Sequence, residues 1–395
     1  MRYGTISKFW DIVVCPFVSM SVCVYKVGQY QNFHGVPYLE YCVYAEKSYL
    51  VQFSGLQTDS FCLFTCMCCT VCIEWLLQVH ILHEKEEWKE EITDEFGAVT
   101  ELPDIFENLV SQSVQLIKEA LLTAVDSHEE DILSYQDANE DLELLIQNVL
   151  SSFAYALENA AIQDYNSHSL QSKLPSDSMR LLLCLNNCQY TQTQVLPKIQ
   201  KAFQDVGQLS LESPIAEACR CYNILHGKLF EAYLELKCDP IVAIVEPSMY
   251  IGKFDWARCP KPLDARDYIK EILHNVISVH SEVSRVSALS NPRHSYLQPI
   301  LLRVVEAVCE EVNRLFCCIS RMNSNGCIQA WVDIHCLQTS LQPFLNKAAS
   351  DFLGDAAKPL YDLERPGDSD SVRTCISEFN KRMKFHLLAL EVGQM

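Results

Sequence analysis

The sequence predicts an all-α fold, an elongated stack of helical bundles behind an N-terminal extension of poorly defined structure. Three observations predict it. From about residue 75 onward, apolar residues recur at spacings of three and four, the period at which a helix turns one face toward a core. Past residue 100 no run alternates with period two for long enough to build a sheet. The 395 residues are 49% hydrophobic and 21% charged, too apolar for a disordered chain and too often broken by charge for a polytopic membrane protein.

The elements follow in order. A first helix is expected over 74–92. Pro103 suits the first turn of the next, where Ile105, Leu109, Leu116 and Ala120 run beside Phe106, Val110, Ile117 and Leu121, so 104–125 reads as one amphipathic helix. Helices over 138–163, 177–190, 194–207 and 214–237 come next. Over 264–289, Ile269, Leu273, Val276, Val279, Val283 and Val286 keep one face, with Lys270, Glu271, His274 and Glu282 off it. Over 297–322, Leu301, Val305, Val308, Val312, Leu315 and Ile319 repeat the rule, and Glu310 is placed to pair with Arg314 one turn on. Helices at 326–351 and 371–391 end the series. Polar or proline-bearing stretches at 164–177, 207–214, 239–264, 290–296 and 364–370 are expected to connect them. Each such helix buries one stripe and wets the other, so it needs neighbours. Three segments result: an extension over 1–73, a helical bundle over 74–210 and a C-terminal helical bundle over 211–395.

Charge is unevenly distributed. The chain carries 31 Lys+Arg against 51 Asp+Glu, a net charge of −20, and almost all of the excess lies beyond residue 80. Duplex nucleic acid and anionic lipid are bound chiefly through Lys and Arg, so neither is expected as a main partner. The 12 glycines lie too far apart for a GxGxxG turn or a phosphate-binding loop.

The extension holds eight of the 20 cysteines. Its second apolar run ends at Glu74 after about 13 residues, short of the ~20 that span a bilayer. Cys66, Cys68, Cys69 and Cys72 lack the two separated pairs of a zinc site. They suit reduced, buried or incidental thiols, or acylation beside an apolar run. Single cysteines on helical faces, such as Cys309, Cys317 and Cys336, behave as small apolar residues of a reducing, cytoplasmic compartment.

Candidate chemistry is sparse. Asp137, Asn139 and Asp141 imitate a calcium loop, but Leu142 replaces its turning glycine and Asn148 its bidentate Glu. His128, Glu129, Glu130 and Asp131 read as a solvated acidic face. His80, His83 and Glu84 lack the HExxH spacing, His274 and His280 fall on different faces of one helix, and no GxSxG elbow occurs. No catalytic, cofactor-binding or metal residue is predicted, and no cofactor. The most unusual stretch is 237–256, where Pro240, Pro247 and Gly252 accompany three aromatics. Tyr250, Phe254, Asp255 and Trp256 are its candidate partner-contact or loop-pinning residues.

At this stretch a resemblance emerges. LFEAYLELKCDPIV (229–242), EPSMYIGKFDW (246–256), ARDYIKEILHNVISVHSEV (265–283) and the block 303–338 resemble the C-terminal half of the exocyst complex component 2 family. LHEKEEW (82–88), LPDIFENLVSQSVQLIKEALL (102–122) and LLCLNNCQY (182–190) stand in the same order. The resemblance implies a helical rod of a vesicle-tethering complex, non-enzymatic, whose partners are other exocyst subunits. It implies a cytoplasmic protein, peripheral at plasma-membrane sites of exocytosis, that helps dock secretory vesicles before fusion. The family's immunoglobulin-like Ral-binding domain has no counterpart here, so Ral GTPase binding is not expected, and residues 1–73 resemble nothing in the family. The alternative is a membrane-associated helical effector anchored by an acylated or inserted N-terminal segment.

Overall fold

The structure, a computed structural model, describes residues 75–126, 136–162, 174–204, 211–288, 294–361 and 370–391. The cysteine-rich extension, the acidic run at 128–131 and the calcium-loop side chains before residue 143 lie outside the residues whose side chains are described.

The fold is all-α, with ten α-helices of nine residues or more among the described residues. They are α1 (Leu102–Asp126), α2 (Gln136–Ile162), α3 (Asp177–Tyr190), α4 (Leu196–Gln204), α5 (Glu212–Met249), α6 (Asp267–Val286), α7 (Leu297–Cys317), α8 (Ser324–Ser340), α9 (Lys347–Tyr361) and α10 (Asp370–Glu391). In α1 the expected stripe residues Phe106 and Val110 are buried and Ile105 and Leu109 half-buried, the side chains of that helix from 116 onward lying outside the described residues. In α6 all six stripe residues from Ile269 to Val286 are buried, and in α7 Leu301, Val305, Val308, Val312 and Leu315 are. Polar side chains cap several starts: Ser176 accepts the Met179 N–H, Asn323 that of Gly326 and Asn346 that of Ala349.

The first expected helix is replaced by something else. Residues 75–80 are helical, but a 3₁₀ turn (Leu82–Lys85) follows, and then an antiparallel hairpin of β1 (Glu90–Thr93) and β2 (Gly97–Thr100). Glu86 turns the chain by accepting the Trp88 N–H at 2.7 Å, and Trp88 itself takes a positive φ of 55°. At the hairpin tip Thr93 Oγ1 donates to the Gly97 carbonyl and accepts the Phe96 N–H. The helix-forming Glu and Lys side chains of 84–91 lose to the burial of β2, every residue of which is covered.

Burial of β2 depends on two adjacent asparagines of α3. Asn187 accepts the Thr100 N–H at 2.9 Å and donates to Thr100 Oγ1 at 2.8 Å. Asn186 donates to the carbonyls of Ala98 and Val286, at 2.7 and 2.8 Å. One side chain thus ties the hairpin to the C-terminal end of α6. Gly97 sits in this junction with φ +76°, and a Cβ there would lie 2.1 Å from the Val286 carbonyl oxygen.

Three further boundaries differ. The break expected between 190 and 194 is absent, since a π-helical turn (Thr191–Val195) carries α3 into α4. The helix expected over 326–351 is divided at Pro343, where a 3₁₀ turn (Gln342–Phe344) separates α8 from α9. The connection expected to start at 239 starts at Tyr250, because α5 continues through Pro240 and Pro247 for 38 residues. Each proline costs about 3 kcal/mol inside a helix. Ile241, Val245 and Met249 extend the buried stripe of Leu225, Leu229 and Tyr233, and each buried side chain returns roughly 1.5–3 kcal/mol. Both prolines face solvent, where water can satisfy the freed carbonyls.

α5 is the common member of the fold, about 57 Å long at 1.5 Å per residue. Its first half packs on the N-terminal helices: Tyr222 Oη donates to the Leu150 carbonyl of α2, and Lys228 pairs with Glu158. Its second half meets α6 and α7 through Lys237 with Glu282, Glu231 with Arg303 and Glu246 with Arg314. Arg314 takes Glu311 and Glu246 as partners, not the Glu310 expected from spacing, because Glu311 lies on the side of α7 that faces α5.

Candidate interaction surface

The segment between α5 and α6 is built around a buried indole. Trp256 is 2% exposed and packs edge-on against Phe254 and against Phe316 of α7, with centroids 5.0 and 5.5 Å away. The Arg266 guanidinium lies 3.3 Å from the centroid of Phe254. The Trp256 carbonyl accepts the Asn323 N–H at 3.1 Å, and α8 begins so close that a Cβ on Gly326 would lie 2.5 Å from that oxygen. Asp255 accepts the Ala257 N–H at 2.9 Å and holds the 3₁₀ turn Trp256–Arg258. Tyr250 is 37% exposed, and its neighbour Ile251 is 68% exposed. The structure therefore divides the four candidates: Phe254 and Trp256 point inward, Asp255 braces the backbone, and Tyr250 reaches the surface.

Under this loop lies a charged group that sequence reasoning did not single out. Asp333 of α8 is fully buried, and its Oδ1 accepts the Arg266 N–H and the Gln329 amide, both at 2.9 Å. Gln329 also donates to the Asp264 carbonyl at 2.9 Å, and the Tyr268 hydroxyl lies beside the carboxyl. Burial pushes the Asp333 carboxyl up to about 7, against the downward pull of the Arg266 and Gln329 hydrogen bonds and the nearby guanidinium. Burial likewise pushes Arg266 down and the Tyr268 phenol up. Asp264 closes the cluster with Lys270 at 3.0 Å and Arg382 of α10 at 2.8 Å. The one signal in the sequence was an Asp inside the apolar run AWVDIHCL.

α10 lies against the end of the loop. Its buried face carries Val372, Cys375, Phe379 and Met383, and Cys375 Sγ donates to the Pro262 carbonyl at 3.4 Å. The outer face bears Lys381, Lys384, Phe385 and Leu388, all exposed.

His80 stacks on Tyr155 at 4.5 Å, and its carbonyl meets His83 Nδ1 at 2.9 Å. His280 is buried, whereas His274 is exposed and meets His386 edge-on at 4.8 Å. Burial pushes up the thiols of Cys184, Cys188, Cys309 and Cys336, which keeps them protonated, the opposite of what a nucleophile requires. Among the described residues no three His, Cys, Asp or Glu side chains gather as a metal site would need, and no helix is long and apolar enough to cross a membrane.

Comparison with known proteins gives a consistent picture. Residues 63–390 match the family described as exocyst complex component Sec5. Exocyst complex component 2 of Mus musculus is 30% identical over 335 residues, covering 80% of this chain and 35% of the mouse protein. The Homo sapiens protein of the same name is 30% identical over 333 residues, covering 80% and 35%, and that of Drosophila melanogaster is 27% identical over 338 residues, covering 79% and 37%. The chain thus spans about a third of the length of these relatives. No solved structure matches it.

Proposed function

From the premise that this chain belongs to the exocyst complex component Sec5 family, we propose that it is a non-enzymatic tethering subunit. It holds sister exocyst subunits through helix faces and so helps dock secretory vesicles at the plasma membrane before fusion. The observation that carries the proposal is the family match over residues 63–390, which takes in the described elements up to the last residue of α10. The helices agree with this use in physical terms. Apart from α3, which is buried on all sides over 178–188, they bury one stripe in the shared core and leave a face in water, and a partner covering about 800 Å² of such a face makes an interface of ordinary size. The work is done by surface complementarity, with no reacting group asked of the chain.

Within this reading the chain acts as an extension over 1–73 and two bundles, 74–210 and 211–395, with α5 bridging from the second onto the first. Phe254, Asp255 and Trp256 pin the 250–266 loop, and Tyr250 contacts a partner. The protein is cytoplasmic and reaches exocytic sites peripherally, through the complex.

The test is affinity capture of the tagged full chain from cells, with quantitative mass spectrometry. Near-equal recovery of the other exocyst subunits is expected. Their absence from a folded, captured chain would overturn the proposal.

A further inference from the structure

Leu263 and Phe385 are the most exposed large apolar side chains among the described residues, at 80% and 81%. They sit on two elements that meet. The Asp264–Arg382 pair at 2.8 Å and the Cys375–Pro262 contact lay the end of the loop along α10, so Leu263 precedes one member of the ion pair and Phe385 follows the other by three residues. Leu388, one turn beyond Phe385 on the same outer face, is exposed as well. Lys381 and Lys384 stand on that face, and Lys261 lies on the loop two residues before Leu263. Residues 380–388 carry three Lys or Arg and no Asp or Glu, in a chain of net charge −20. Lys381 is met by Glu378, whereas Lys384 and Lys261 have no carboxylate partner among the described residues.

We infer that this surface docks an acidic amphipathic helix contributed by a sister subunit, a step that rests on the tethering reading above. Leu263, Phe385 and Leu388 offer an apolar stripe to receive the anchors of a helix laid across them. Lys261, Lys381 and Lys384 flank the stripe where the incoming carboxylates fall. Isolated exposed apolar residues are ordinary, but Phe385 and Leu388 one turn apart beside Lys384 on an acidic protein, with the exposed Leu263 on the abutting loop, are not. The charge balance also selects a helix over a bilayer. An anionic membrane would press its whole negative plane toward an acidic chain, with screening effective only beyond about 8 Å, whereas one helix meets the basic border alone.

The test places a benzophenone amino acid at position 385 of the full chain in cells, followed by irradiation, purification and peptide mass spectrometry. The expected cross-link is to a segment of a sister exocyst subunit that carries net negative charge and a helical apolar stripe. Lys384→Glu and Phe385→Asp, both on the solvent face, are each expected to lower recovery of sister subunits about tenfold with the melting curve unchanged. Cross-links to lipid alone, or to a segment without negative charge, overturn the inference. So does wild-type recovery by both variants, an outcome that leaves the tethering function standing and removes only this surface from it. If the unsubstituted chain captures no sister subunits, both readings fall together.

Discussion

Asp333→Asn isolates the cost of one buried carboxylate. Asp333 is fully buried and its carboxyl is raised to about 7, whereas an unfolded Asp titrates near ~3.9. A raised carboxyl holds its proton in the folded chain where the unfolded chain has lost it, so its contribution is most favourable below about pH 4, declines as pH rises toward 7 and is flat above. At ~1.4 kcal/mol per pH unit, moving from pH 5.5 to pH 8 costs the native chain about 2 kcal/mol through this group. Asparagine still accepts the Arg266 N–H and the Gln329 amide, and its own N–H₂ can serve Tyr268, but it does not titrate. Urea unfolding of both proteins at pH 5.5 and pH 8, followed by circular dichroism, cancels the remaining carboxylates by subtraction. The native chain should lose about 2 kcal/mol more than Asp333→Asn over that interval. Parallel profiles within ~0.5 kcal/mol would show that the Asp333 carboxyl does not weaken the fold as pH rises, the opposite of what its burial requires.

Glycine at 97 is required twice over, so Gly97→Ala should cost about 2–4 kcal/mol from a positive φ plus a clash with the Val286 carbonyl, whereas Gly252→Ala, with open space around it, should cost only about 1 kcal/mol; similar melting temperatures for the two would refute the distinction. Asn187→Ala leaves the buried Thr100 N–H without its acceptor and should destabilise by about 2–3 kcal/mol, with faster hydrogen exchange in β2 as the local readout; unchanged exchange there would count against the junction. Pro240→Ala restores a helical N–H on the solvent face of α5 and should raise the melting temperature, by about 1–3 kcal/mol of stability; a lowered one would show that the ring is needed in place.

The long helices were legible because their stripes are regular over many turns. What was lost was decided by contacts distant in sequence. The hairpin replaces a helix in a run rich in Glu and Lys because Thr100 and Ala98 meet asparagines nearly ninety residues away, and its tip offers none of the Asn-Gly pairs that announce a tight turn. α5 outruns its prolines because Ile241, Val245 and Met249 have a core to enter, whereas Pro343 does break its helix because a turn there lets Phe344 be buried. At the loop, the aromatics stood out by composition, but Arg266 and Asp333 are 67 residues apart and neither carries a local mark of the other. The exposed Phe385 was invisible for the same reason, since a helical period says which face repeats but not which neighbour is missing.

The length of α5 has a mechanical consequence. Part of any load passed between the N-terminal helices and the α6–α7 pair runs along this helix, whose first half is gripped by α2 and whose second half is gripped by α6 and α7, while the rest passes through the junction of the hairpin with α6. Such a load acts in shear, spread along many side-chain rows that must slip together, instead of peeling contacts one at a time. Pro240 and Pro247 leave the second half short of two backbone donors, and the Lys237–Glu282 and Glu246–Arg314 pairs brace that stretch where the helix alone is least stiff.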